Sequence, residues 1–132
     1  MRALVAGLAL MVSSCQSLSY IEPEFADSNG LVASEIVDAV SRRSQWRSVH
    51  VAPPEQHDHP FAGTVDASLR GAGYSIDEEG DSVPTLRYYV TKLYDGILLR
   101  VDFASAWTAR FFAKDKASLV PAGPVTVQEF AG

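Results

Sequence analysis

The sequence predicts an α+β domain in which two helices pack on one face of a mainly antiparallel sheet of about five to six strands. Three observations carry that expectation. Two stretches in the first half place apolar residues at helical spacing, with one short β-branched run between them. The second half alternates apolar and polar residues in runs separated by turn residues. The resulting order, helix, strand, helix and then a meander, suits two packed layers around one core.

The elements follow in order. Residues 16–28 mix Ser, Glu, Pro and aromatics without a period and read as a tether. Tyr20, Ile21 and Phe25 are odd in a pure spacer; packing on the domain itself accounts for them, and docking on a partner is the alternative. From Gly30 the period turns helical, with Val32, Ile36, Val37 and Val40 forming one apolar stripe in a run shared with Leu31, Glu35 and Asp38. Asp27 or Ser28 can cap its start, while Arg42 and Arg43 suit the negative end of the helix dipole. Val49, His50 and Val51 make a short strand that Pro53-Pro54 stops. Pro60 fits the first turn of a second helix, with Asp58 or His59 as its cap. Phe61, Val65 and Leu69 then line its inner face, Gly71-Ala72-Gly73 ends it, and Tyr74-Ser75-Ile76 starts a strand. Asp77 to Asp81 is an acidic, solvated loop.

Two strand-like runs flank Asp95-Gly96, a dipeptide suited to a type I′ turn. With those two residues as the loop, Tyr94 faces Ile97, Lys92 faces Leu99, Val90 faces Val101 and Tyr88 faces Phe103. One side of this hairpin is almost wholly apolar. The other carries Arg87, Tyr89, Thr91, Arg100 and Asp102, with Leu93 and Leu98 near the tip. A slip of one residue would mix the faces, so the register is strongly specified. Strands are also expected over 107–112, 118–120 and 125–130, with a turn at Pro121-Ala122-Gly123-Pro124. Phe111 and Phe112 cannot both enter one core, because neighbouring strand residues point to opposite faces. Phe112 is taken as the surface partner of Leu93 and Leu98, in an apolar patch that would mark a contact site; the alternative is that the helices cover one face while the strand edge hides the other aromatic.

The N-terminus reads as a bacterial secretory signal. Met1-Arg2 supplies a positive charge, and Ala3 to Val12 is an apolar run too brief to span a bilayer. Val12-Ser13-Ser14-Cys15 ends that run on small residues and a cysteine, which looks like the lipobox of bacterial lipoproteins. The expected organisation is a signal peptide at 1–14, an acylated Cys15 with a tether at 15–29, and a small α+β domain at 30–132. An ordinary signal peptide with a chance cysteine is the alternative. Several acyl chains would anchor the protein stably, since each buried methylene adds roughly 0.8 kcal/mol.

Removing residues 1–14 from the 132 leaves 118, enough for one core. Arg2 leaves with the signal, so the net charge falls from −5 to −6. That balance argues against a nucleic-acid surface, which needs a basic stripe to displace counterions from phosphate. Cys15 is the only cysteine, so no disulfide can form within the chain.

No nucleophile elbow, phosphate loop, H-E-x-x-H helix or cysteine pair is present. His57 and His59 around Asp58, with His50 upstream, are the nearest approach to a metal site. Residues two apart before a proline tend to diverge, however, and no fourth histidine exists. A polar helix-capping loop is the simpler reading. No catalytic residue, metal or cofactor is expected.

A family resemblance rests on several short motifs. Phe61-Ala62-Gly63 leads to Leu69-Arg70-Gly71-Ala72-Gly73-Tyr74-Ser75-Ile76, then Pro84-Thr85-Leu86-Arg87-Tyr88-Tyr89-Val90, then Leu98-Leu99-Arg100-Val101. The series ends with Leu119-Val120-Pro121-Ala122-Gly123-Pro124-Val125-Thr126-Val127. Behind a lipoprotein signal, this order resembles the TrbH-type conjugal transfer lipoproteins over roughly Val49 to Glu129. Tyr89 and the charged approach to Pro121 depart from the pattern. The resemblance implies a non-enzymatic part of a mating-pair apparatus, a type IV secretion system, whose partners are other envelope proteins of the channel. It would be held to the membrane through lipid on Cys15, with no direct contact to nucleic acid. Gln16 stands where an Asp would retain a lipoprotein at the inner membrane, so the expected location is the outer membrane, with the domain facing the periplasm. Tyr20, Phe25, Leu93, Leu98 and Phe112 are the expected partner-binding residues. A pilotin or assembly chaperone of another envelope complex is the nearest alternative. A periplasmic metal carrier or hydrolase using His57 and His59 is a third reading.

Overall fold

The computed structural model describes residues 18–43, 45–56 and 58–129. The elements are β1 (Tyr20–Ile21), α1 (Leu31–Arg43), β2 (Ser48–Val51), α2 (Pro60–Gly71), β3 (Ser75–Ile76), β4 (Thr85–Leu93), β5 (Gly96–Phe103), β6 (Ala106–Asp115), β7 (Ser118–Pro121) and β8 (Thr126–Glu129). The α+β expectation holds, but the sheet is larger and more mixed than expected. Eight strands take part, and three of the pairings between them are parallel.

Its centre is the antiparallel meander β4–β5–β6. Each outer side of that meander is completed by two short strands placed end to end. Along β4, β2 pairs with Thr85 and Leu86, and β1 pairs with Tyr89 and Val90, both in parallel. Along β6, β8 covers Ala106 to Ala109 and β7 covers Phe112 to Asp115. β3 extends the sheet beyond β2, and α2 forms the crossover between those two parallel strands.

The sheet buries one face beneath both helices. Tyr88 and Val90 from β4, Ile97, Leu99, Val101 and Phe103 from β5, and Phe112 from β6 meet Val32, Ile36 and Val40 of α1 and Phe61, Val65 and Leu69 of α2. Phe61 is seated between two rings, edge-on to Phe25 at 5.0 Å and to Tyr88 at 5.8 Å. The helix starts use the expected chemistry. Both carboxylate oxygens of Asp27 accept amides of α1, from Val32 and Ala33, and His59 Nδ1 accepts the Phe61 amide at 3.1 Å. Glu35 is buried on α1 and bridges Arg42 at 2.8 Å and Arg110 of β6 at 2.7 Å, tying helix to sheet.

Two expectations need correction. Residues 19–29 are not a spacer but part of the domain. Ile21 is fully buried, and Ser19 fills the junction between β2 and β1 along β4. Its hydroxyl donates to the Ala52 carbonyl at 2.9 Å and accepts the Tyr88 amide at 3.1 Å, a backbone group that neither short strand reaches. The β4–β5 hairpin also turns one position earlier than expected. Tyr94 and Asp95 form the loop, Leu93 pairs with Gly96, and Lys92 faces Ile97. Tyr94 supplies the left-handed φ of 55°. Gly96 lies in the strand because a β-carbon there would collide with the Phe112 carbonyl. The shift moves each pairing by two residues, so the apolar face survives it.

Candidate functional site

The face of the sheet away from the helices carries the most organised group of surface side chains. Alternation sends Arg87, Tyr89, Thr91 and Leu93 of β4 outward, with Leu98, Arg100 and Asp102 of β5 and Trp107, Ala109 and Phe111 of β6. The register arranges these in rows across the strands. Tyr20, Tyr89, Arg100 and Ala109 form the middle row. Arg87, Asp102 and Trp107 lie on one side of it, and Thr91, Leu98 and Phe111 on the other.

Arg100 is the hub. Its guanidinium lies 4.9 Å from the Trp107 ring centroid and 5.9 Å from that of Tyr89. Its Nε donates to Asp102 Oδ1 at 2.7 Å, and a second nitrogen reaches Oδ2 at 3.4 Å. Each stacked contact contributes about 0.5–1 kcal/mol at such half-exposed positions. The ion pair itself adds little in water, but it fixes the plane of the guanidinium. The result is a pre-ordered aromatic and cationic platform beside an apolar strip, the residue types that dominate protein-contact energetics.

The sequence-selected residues fall on both sides of the sheet. Tyr20, Leu93 and Leu98 reach the outer face, and Leu93 is exposed at the hairpin tip beside the highly exposed Tyr94. Phe112 does not. It is only 1 % exposed, because its register with Ile97 turns it into the core, and Phe111 takes the surface position instead. Phe25 lies on the helix side against Phe61, where it also lines a cleft of about 580 Å³ with Lys92, Ile97, Lys114 and Leu119. His59 serves as the helix cap, and the His50 ring engages the Asp77 carbonyl through Nδ1 at 2.8 Å. His57 and Cys15 lie outside the described residues. Among the described residues, no group of three or more His, Cys, Asp and Glu side chains converges as a metal site. No described helix is long and apolar enough to cross a membrane.

The grouping of Trp107 and Phe111 with Arg100 escaped the sequence reading because it depends on the β5–β6 register. That register is set by the tight turn at Ala104-Ser105, where both residues adopt left-handed φ angles of 52° and 63° without glycine or asparagine.

Comparison with known proteins adds one match. The family model described as conjugal transfer protein TrbH aligns with residues 19–130. Its first matched residue is the buried Ser19. No curated protein and no solved structure matches the chain.

Proposed function

Because the chain belongs to the TrbH family and is a conjugal transfer component, we propose that it works as a non-enzymatic, lipid-anchored envelope protein that contacts other proteins of the transfer apparatus. The anchor is Cys15, at the end of the apolar run from Ala3 to Val12. The contact surface is the outer sheet face around Arg100, with the Leu98–Phe111 strip beside it. The outer membrane is the expected site of attachment, since Gln16 follows the cysteine.

The observation that carries the contact role is the Tyr89–Arg100–Trp107 stack on an open face of the sheet. A side chain that only served folding would gain more by burial. Here three large groups are held in fixed geometry at half-exposed positions, so little side-chain entropy remains to be lost on docking. The net acidic chain also favours a protein partner over nucleic acid.

Plasmid transfer frequency tests the proposal. A donor lacking the gene should lose transfer and regain it with the wild-type protein, but not with Cys15→Ser. The double variant Arg100→Ala, Trp107→Ala should stay folded and lower transfer by about tenfold or more, the loss of one contact hot spot. Full complementation by that folded double variant refutes the contact surface. Full complementation by Cys15→Ser refutes the anchor.

A further inference from the structure

We propose that the cleft between α2 and the β2 edge of the sheet is a binding site for a primary alkylammonium group. The cleft has a volume of about 380 Å³ and lies on the helix side, away from the Arg100 platform. Asp66 and Arg70 of α2 line one wall, and Pro53 and Pro54 supply an apolar one. Asp77 and Glu78 close the rim, and Tyr88 reaches the cleft from the core.

One geometric observation points to a ligand. Tyr88 is fully buried, and its hydroxyl has no hydrogen-bond partner among the described residues. Native structures seldom leave such a group unpaired, because its desolvation is not recovered. Asp66 lines the same cleft. Burial raises its carboxyl above the ordinary value of 3.8, and Arg70 one turn along the helix offsets this only in part. The same carboxylate, after burial, pushes the Tyr88 hydroxyl upward, so the phenol keeps its proton and remains both donor and acceptor.

Charge selects the class of guest. The lining sets the Asp66 and Glu78 carboxylates against the Arg70 guanidinium, while the Asp77 carboxylate accepts the Glu79 and Gly80 amides of its own loop and the His50 ring engages the Asp77 carbonyl, so a cation is favoured over an anion. An ammonium offers three donors, enough for the Asp66 carboxylate and the Tyr88 oxygen together. A straight methylene chain behind it would lie along the proline wall. A lysine side chain and a free polyamine both present this chemistry.

The test is an NMR titration of the full chain with n-butylammonium chloride, putrescine and the blocked tripeptide Ala-Lys-Ala. Sodium acetate and n-butanol serve as the anionic and neutral probes. Saturable shifts at Ala62, Asp66 and Tyr88 are expected for the amines, with dissociation constants on the order of millimolar. Tighter binding of the tripeptide than of putrescine identifies a protein lysine as the source, and the reverse order identifies a free polyamine. Asp66→Asn should weaken binding at least about tenfold and Tyr88→Phe about threefold, each judged on a protein whose remaining spectrum is unchanged. If Asp66→Asn fails to fold, Tyr88→Phe and the neutral probe still decide. No saturable shift with any amine overturns the proposal. So does equal binding of n-butanol, or preferential binding of acetate.

Discussion

Ser19→Ala removes a single oxygen and should cost far more than an ordinary serine substitution. The hydroxyl is 1 % exposed and satisfies two backbone groups at once, the Ala52 carbonyl and the Tyr88 amide. Alanine leaves both groups unpaired in a site with no room for bulk water. The stranded amide costs about 2 kcal/mol and the carbonyl, which tolerates under-satisfaction better, about 1 kcal/mol. The expected loss is therefore about 3 kcal/mol, or roughly 12 °C in melting temperature for a domain of this size. Urea denaturation followed by far-ultraviolet circular dichroism measures it, with Ser34→Ala as the control. Ser34 also donates a hydrogen bond, to the Leu31 carbonyl at 2.8 Å, but it is exposed and water can replace the bond. The control should stay within about 0.5 kcal/mol of wild type. A Ser19→Ala protein equally close to wild type would refute the account of the β1–β2 junction and the placement of residues 19–21 in the domain.

Three further outcomes are expected. Ser105→Gly should stabilise the protein by about 0.5–1 kcal/mol, since relief of a left-handed residue outweighs the added freedom of glycine in the unfolded chain; a loss of stability on urea denaturation would contradict this. Glu35→Gln should cost about 2 kcal/mol, because it leaves Arg42 and Arg110 without their shared carboxylate, an effect softened by the partial exposure of both guanidinium groups; a double-mutant cycle with Arg110→Met separates the bridge from packing. Asp66 should make stability fall with rising pH: its folded carboxyl lies above the unfolded value of 3.8, so the folded state holds the proton more tightly, and the penalty is absent below that value and grows as pH rises through the folded one. Chemical denaturation of wild type and Asp66→Asn from pH 3 to pH 7 should therefore show a difference that widens in favour of the variant, and a constant difference would refute the sign.

The elements with several repeats of a period were legible in the sequence. Both helices and the apolar side of the β4–β5 hairpin follow from spacing and turn chemistry alone. The same signals narrow the caps to Asp27 or Ser28 and to Asp58 or His59, of which the structure uses Asp27 and His59. What escaped was short or relational. β1 has only two residues, too few to show alternation, and its place depends on a serine hydroxyl bridging two strands far away in sequence. β2 and β3 pair in parallel through two residue pairs, a contact no local pattern encodes. Asp95-Gly96 resembled a turn for a sound reason, but the glycine answers to the neighbouring Phe112 carbonyl instead. The choice between Phe111 and Phe112 had no internal signal, since β6 lacks clean alternation and takes its facing from β5. The Arg100 platform inherits the same dependence: each member was visible, and their assembly was not.

The pairing of short strands end to end along both flanks of the meander has a consequence for how copies of the protein meet. A long, straight outer strand would offer another copy a continuous ladder of amides and carbonyls. Here the borders are broken into pieces of two to four residues, with proline at the end of β7 and another proline in the connection to β8. Such a border cannot template a partner strand over any useful length. Many copies crowded into one assembly can therefore sit side by side without fusing into a shared sheet, and encounters are left to the side chains that the flat faces present.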